Sequence, residues 1–272
     1  MKTKNIIVST AALLLSVTAG ASFTHAEESS GKTTTDAEFA AGERPDPILP
    51  EEGPKPPTTV DPGVDPLPET GNVYVTHLPN ISFGNGNKIV AGGTEYEALT
   101  EEVTQNAGAI RFHIPHFVQV ADLSGSSETK WSVTVQQDDI YKTTDGKSLE
   151  NSRIRIYENS VRSNAYTNSE IAAGVNGVDT TSGFSMIPVA TKDTTTAPLE
   201  VLSVKAAGAT NNTITSSVFI KDYDETDYDA VKTPNAARYS GVKLNVPQED
   251  QAKAQKDNKY RANLTWTLSV AP

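Results

Sequence analysis

The chain has 272 residues, no cysteine, and 34 acidic against 23 basic side chains, for a formal net charge of −11. That balance argues against nucleic-acid binding, which needs clustered Lys and Arg to meet phosphate. The missing cysteines exclude a disulfide scaffold, and the length suffices for one sizeable domain with accessory segments.

The first residues have the pattern of a secretory signal peptide spanning residues 1–26. Lys2 and Lys4 precede an apolar to small-residue run over residues 6–21, and Thr24-His25-Ala26 offers a cleavage site after Ala26. Loss of these two lysines and no acid would turn the net charge of −11 into −13. The strongly apolar part is shorter than the roughly 20 residues that a membrane span requires, and no other stretch approaches one. A secreted, self-repelling chain is the expectation.

Residues 27–69 read as a disordered spacer rich in proline and acid. Nine prolines fall between Arg44 and Pro68, interleaved with Asp and Glu. Fixed φ angles and like charges predict an extended, polyproline-like course of about 3 Å per residue. Leu67-Pro68-Glu69-Thr70-Gly71 spells the sortase recognition pentapeptide. Some 200 residues follow it, and the end at Val270-Ala271-Pro272 has neither the apolar stretch nor the basic tail of a sortase signal. No anchoring role is expected for it.

Residues 70–272 are expected to form one all-β domain, an antiparallel β-sandwich. Short alternating runs recur around Val73 and Val75, Ile81 to Phe83, Ile110 to Ile114, Val118 and Val120, Trp131 to Val135, and Ile154 to Ile156. Further strands are expected near Val201 and Val204, Val218 to Ile220 and Val242 to Val246, with turns such as Asp145-Gly146 and Asn176-Gly177 between. The only helix-like piece is Gln248 to Asn258. Many strands without alternating helices favour a sandwich.

No residue pattern points firmly to catalysis, a cofactor or a metal. His113 and His116 lie three apart, so a strand would turn them to opposite faces, and no Cys completes a site. The run from Asp222 to Asp229 is dense in carboxylates but lacks the glycine and closing glutamate of an EF-hand, so a solvated acidic loop is expected. Arg153 and Arg155 are expected to solvate an exposed strand face. No G-x-S-x-G and no recognisable carboxylate pair appear, which leaves an extracellular carbohydrate-active enzyme as an alternative only.

The last stretch has the clearest pattern. Tyr260, Ala262, Leu264, Trp266, Leu268 and Val270 share one side of a strand, and Arg261, Asn263, Thr265, Thr267 and Ser269 the other. The other tryptophan sits alike in Trp131-Ser132-Val133-Thr134-Val135. Apolar neighbours on the same side favour core positions for both rings.

These two motifs resemble those of the WxL-domain cell-surface proteins of Gram-positive bacteria. The ending from Tyr260 to Pro272 looks like that family's terminal motif almost residue for residue. Val118 to Asp122 followed by Trp131-Ser132-Val133 looks like its first motif, with Val where the family has Leu. His77-Leu78-Pro79-Asn80-Ile81-Ser82-Phe83-Gly84 resembles the start of the domain. The resemblance implies a non-enzymatic protein held non-covalently at the cell wall through peptidoglycan. Trp131, Ser132, Val133, Trp266, Thr267 and Leu268 would be the motif residues, in a structural or a wall-binding role. It also implies membrane-tethered WxL-interacting proteins and host matrix proteins as partners, the latter giving an adhesin as a further alternative.

Overall fold

The computed structural model of the chain describes residues 40, 42–63, 67 and 71–271. The expected leader, and Pro68, Glu69 and Thr70 of the pentapeptide, lie outside them. In chain order the first strands are β1 (Val73–His77), β2 (Thr94–Leu99), β3 (Glu101–Gln105), β4 (Ile110–Ile114), β5 (Phe117–Asp122), β6 (Lys130–Gln137), β7 (Tyr141–Lys142) and β8 (Ser148–Leu149). Then come β9 (Arg153–Ile156), β10 (Ser160–Ser163), helix α1 (Asn168–Gly174), β11 (Val175–Gly177), β12 (Ser185–Met186), β13 (Leu199–Val204) and β14 (Thr213–Val218). The chain closes with β15 (Arg238–Val246), helix α2 (Gln248–Gln251) and β16 (Leu264–Ala271).

Three four-stranded sheets carry the architecture, in the orders β1-β5-β14-β10, β11-β13-β6-β16 and β12-β9-β15-β2. The pairings within them are antiparallel. The expected all-β, antiparallel class is therefore the class observed. The alternating runs explain the packing, because every second side chain of a strand points the same way. Val73 and Val120 from the first sheet, Val133 and Leu202 from the second, and Ile156 and Val242 from the third meet in one apolar core.

Four regions differ from the sequence expectation. Part of the stretch expected as an extended spacer is folded onto the domain. Ile48, Leu49 and Val60 are buried, and Leu49 and Val60 pack with Phe112, Ile114 and Phe117. The Ile48 N–H donates to Gln119 Oε1 at 2.9 Å, and Gln119 Nε2 donates to the Ile48 carbonyl at 2.9 Å. Gly53 donates its N–H to the Ser163 carbonyl at 2.8 Å, and a Cβ there would lie 2.2 Å from the Asn164 carbonyl oxygen. Prolines stiffen this segment, but its few apolar side chains suffice to dock it.

Ile81 to Phe83 is not a strand, although the Leu99 N–H donates to the Ser82 carbonyl at 2.8 Å. A second helix, α1, was hidden behind weak apolar periodicity. Its signal is Thr167 three residues before Glu170, whose carboxylate accepts the Thr167 N–H at 2.9 Å and its hydroxyl at 2.7 Å. Arg153 is buried and pairs with Asp193 at 2.9 Å, and Arg155 pairs with Glu95 at 2.9 Å, so neither simply solvates an open face.

Candidate functional site

β6 and β16 pair in unbroken antiparallel register over eight residues. Trp131 faces Val270, Val133 faces Leu268, and Val135 faces Trp266. Directly opposed residues share a face of the sheet, so both tryptophans lie on the core side, one at each end of the paired motifs. β6 is an inner strand with β13 on its other side, while β16 is the sheet's edge.

The two rings have different environments. Trp131 is only 3% exposed. Its Nε1–H donates to Thr210 Oγ1 at 3.0 Å and to Asp122 Oδ2 at 3.3 Å, and the Thr210 hydroxyl donates to the same carboxylate oxygen at 2.8 Å. The other oxygen, Oδ1, accepts from the Ser124 hydroxyl at 2.7 Å. Asp122 is fully buried, so these donors compensate a carboxylate withdrawn from water. Trp266 is half-buried, as are Leu264, Leu268 and Val270 beside it. Val133, at the position where the resemblance has Leu, is completely buried.

The opposite side of the same sheet is polar. Thr267, Thr134 and Glu200 lie in one row across β16, β6 and β13. Ser269, Ser132, Ser203 and Asn176 form a second row that reaches β11. Within it Asn176 donates to Ser203 Oγ at 3.4 Å, and the Ser203 hydroxyl joins the two rows by donating to Glu200 Oε1 at 2.6 Å. Thr265, Thr267 and Ser269 are exposed, and Ser132, Thr134 and Gln136 are half-buried. The second residue of each motif, Ser132 and Thr267, thus points to this outer face, while the flanking apolar residues point inward.

A family model described as "WxL domain surface cell wall-binding" matches residues 26–272. The chain belongs to the WxL domain family. No curated protein and no solved structure matches it. The match extends over nearly the whole chain, so this WxL domain includes the docked proline-rich segment as well as the terminal strand. It is a cell wall-binding domain of the cell surface, and among the described residues no helix is long and apolar enough to cross a membrane.

The other candidates in this WxL domain are separate from the motif strands. His116 is fully buried and lies next to the buried His77 and the partly buried Glu101, whose side chains are 3.2 Å apart. The Tyr239 hydroxyl accepts the His116 backbone N–H at 3.3 Å and meets Nδ1 at 2.6 Å, while Nε2 meets the Asn80 carbonyl at 3.3 Å. A carbonyl requires a donor, so Nε2 carries the proton and Nδ1 accepts from the phenol. Burial pushes the His116 imidazole down to about 4. Burial raises the Glu101 carboxyl, but hydrogen bonding and charge from His77 outweigh it and hold the carboxyl below its usual range. His113 instead contacts the Thr233 carbonyl at 3.2 Å, so the two histidines do not converge.

In the acidic run, Asp224 Oδ1 accepts the Thr226 N–H at 2.9 Å, and Asp229 Oδ1 accepts those of Val231 and Lys232 at 2.8 and 2.7 Å. Tyr223 and Tyr228 stack 5.2 Å apart. These carboxylates fasten turns. Among the described residues no group of three or more potential ligand side chains could hold a metal ion.

Proposed function

We propose that the chain is a secreted, non-enzymatic protein that attaches non-covalently to peptidoglycan through the outer face of the β6–β16 sheet. The carrying observation is the pair of polar rows centred on Thr267 with Thr134 and Ser269 with Ser132. Hydroxyls and amides on a flat pleated surface suit the hydroxyls and amides of a wall polymer. The motif tryptophans support this face from beneath, where they hold two strands in register. With Lys130 and Glu200 the charged side chains on the outer face of these strands and the chain acidic overall, attachment relies mainly on hydrogen bonds and shape and should persist in salt. The experiment is co-sedimentation with purified peptidoglycan stripped of anionic polymers, at roughly 0.1 and 1 M NaCl, a Debye length change of about 10 to 3 Å. Retention at both concentrations is expected, and release at the higher one would refute this mode of attachment.

A second reading is favoured by the outer edge of β16, which pairs with no other strand among the described residues. Its eight residues contain neither charge nor proline, the usual protections of an edge. Such an edge suits strand addition by a membrane-tethered WxL-interacting protein. Sedimentation with walls only when a second surface protein is present would select it.

A further inference from the structure

Arg162, on the edge strand β10, is 7% exposed. Its guanidinium donates to the Val161 carbonyl at 3.0 Å and to the Tyr223 carbonyl and, unlike Arg153 and Arg155, forms no ion pair with a carboxylate of a described residue. Glu52, Asp222 and Asp224 act on this buried cation through space without a direct ion pair, and the N–H donors that the two carbonyls leave over match a carboxylate. Arg162 is also a shared wall of two adjoining hollows of about 700 and 730 Å³. Each has the size of a small-ligand site.

The second residue common to both hollows is Asn168, whose Oδ1 is buried without a partner among the described residues. On one side of these two residues stand Asp222, Glu52, whose Oε1 accepts the Asn168 N–H at 3.0 Å, and Asp224, whose Oδ1 accepts from Thr226, while Glu225 is paired with Lys55. On the other side the hollow is lined by Asn176 and Glu200. Those two residues also end the polar rows of the β6–β16 sheet. The groove therefore presents the remaining donors of a buried guanidinium, Lys205 beyond it and carboxylates in excess, and its lining reaches the outer face.

We propose that this groove binds a short peptide carrying both a free carboxylate and a free primary amine, the kind of branch borne by a wall glycan. This rests on the wall-binding reading. The ligand's carboxylate occupies the Arg162 fork, its amine lies among Glu52, Asp222 and Asp224, and the glycan that bears it runs over the hydroxyl rows. The arrangement excludes a plain polyanion, which the surrounding carboxylates would repel.

The test is isothermal titration of the full chain with a synthetic wall stem tetrapeptide containing a free lysine amine. The amine-acetylated peptide and a peptide-free chitooligosaccharide serve as comparisons. Saturable binding of the free peptide is expected, weakened at least tenfold by acetylation and at least tenfold by Arg162→Gln. Asp222→Asn is expected to weaken binding as well. Asp222 is exposed with φ 53°, a backbone region that Asn tolerates, so this variant keeps the fold even if Arg162→Gln does not. No saturable binding by the unaltered chain, or equal binding by Asp222→Asn and by the acetylated peptide, overturns the proposal. Parallel sedimentation with walls separates the two claims. A chain that sediments with walls but ignores the peptide refutes the groove alone. A chain that binds the peptide but not walls supports the groove and refutes the attachment reading.

Discussion

Val133 and Leu268 stand directly opposite each other on β6 and β16, and the two motifs run through this pair in opposite directions. Trp131 and Trp266 thereby brace the two ends of one ladder from the core side. Because Val133 is completely buried, Val133→Leu is expected to overpack the site and cost about 1–3 kcal/mol, although it restores the family spelling. Combining it with Leu268→Val frees space across the ladder and should recover part of the loss. Urea denaturation of the four chains measures the coupling, which additivity would set at zero.

Trp131 and Trp266 should differ in their tolerance of change. Trp131→Phe keeps a ring but removes the N–H shared by Thr210 and the buried Asp122. The expected cost is about 1–3 kcal/mol, the penalty of leaving buried acceptors short of a donor. Trp266→Phe, at a half-buried edge position, should cost less than about 1 kcal/mol. Thermal unfolding of both variants checks the order.

Acid should loosen the domain in a definite window. His116 is neutral when folded, with its imidazole depressed to about 4, against about 6.5 when unfolded. The unfolded chain therefore binds the extra proton first, and stability is lost as pH falls from about 6.5 to about 4, by roughly 3 kcal/mol in all. Glu101, also depressed when folded, adds a loss of the same sign as pH falls through the carboxylate range. A melting-temperature profile over this range, with the slope reduced but the Glu101 share retained in a His116→Gln chain, is the expected result.

Release of the docked proline-rich segment should be separable from unfolding. Gln119 holds Ile48 by both its N–H and its carbonyl and also accepts from the Thr76 hydroxyl. Gln119→Ala leaves these groups unpaired at about 1–3 kcal/mol for each buried group. Limited proteolysis should then cut near residues 45–60 while the core, followed by tryptophan fluorescence, stays folded.

The sequence made the strand class legible because alternation is a local property, and it is clearest in β6 and β16, which one face of the core reads directly. It also placed all six apolar residues of the closing stretch on one side, and all six pack against the core. What it concealed is non-local. The docking of Ile48 depends on Gln119, 71 residues away, and the paired state of Arg153 depends on Asp193, 40 residues away. Helix α1 carries only Ile171 as a large buried residue, so its capping pair was the sole clue. The polar rows could not be read either, since they join four strands whose order the sequence does not state.

The most direct test replaces Thr267 and Ser269 together by glutamate and measures sedimentation of the full chain with purified peptidoglycan. Both side chains are exposed on the outer face, so the fold should persist, as far-ultraviolet circular dichroism would report. Val231→Glu, on a loop residue that is 89% exposed, is the control. At least a tenfold loss of wall binding by the first chain and none by the second is the outcome expected here. Undiminished binding by a folded Thr267→Glu, Ser269→Glu chain would contradict the assignment of this face.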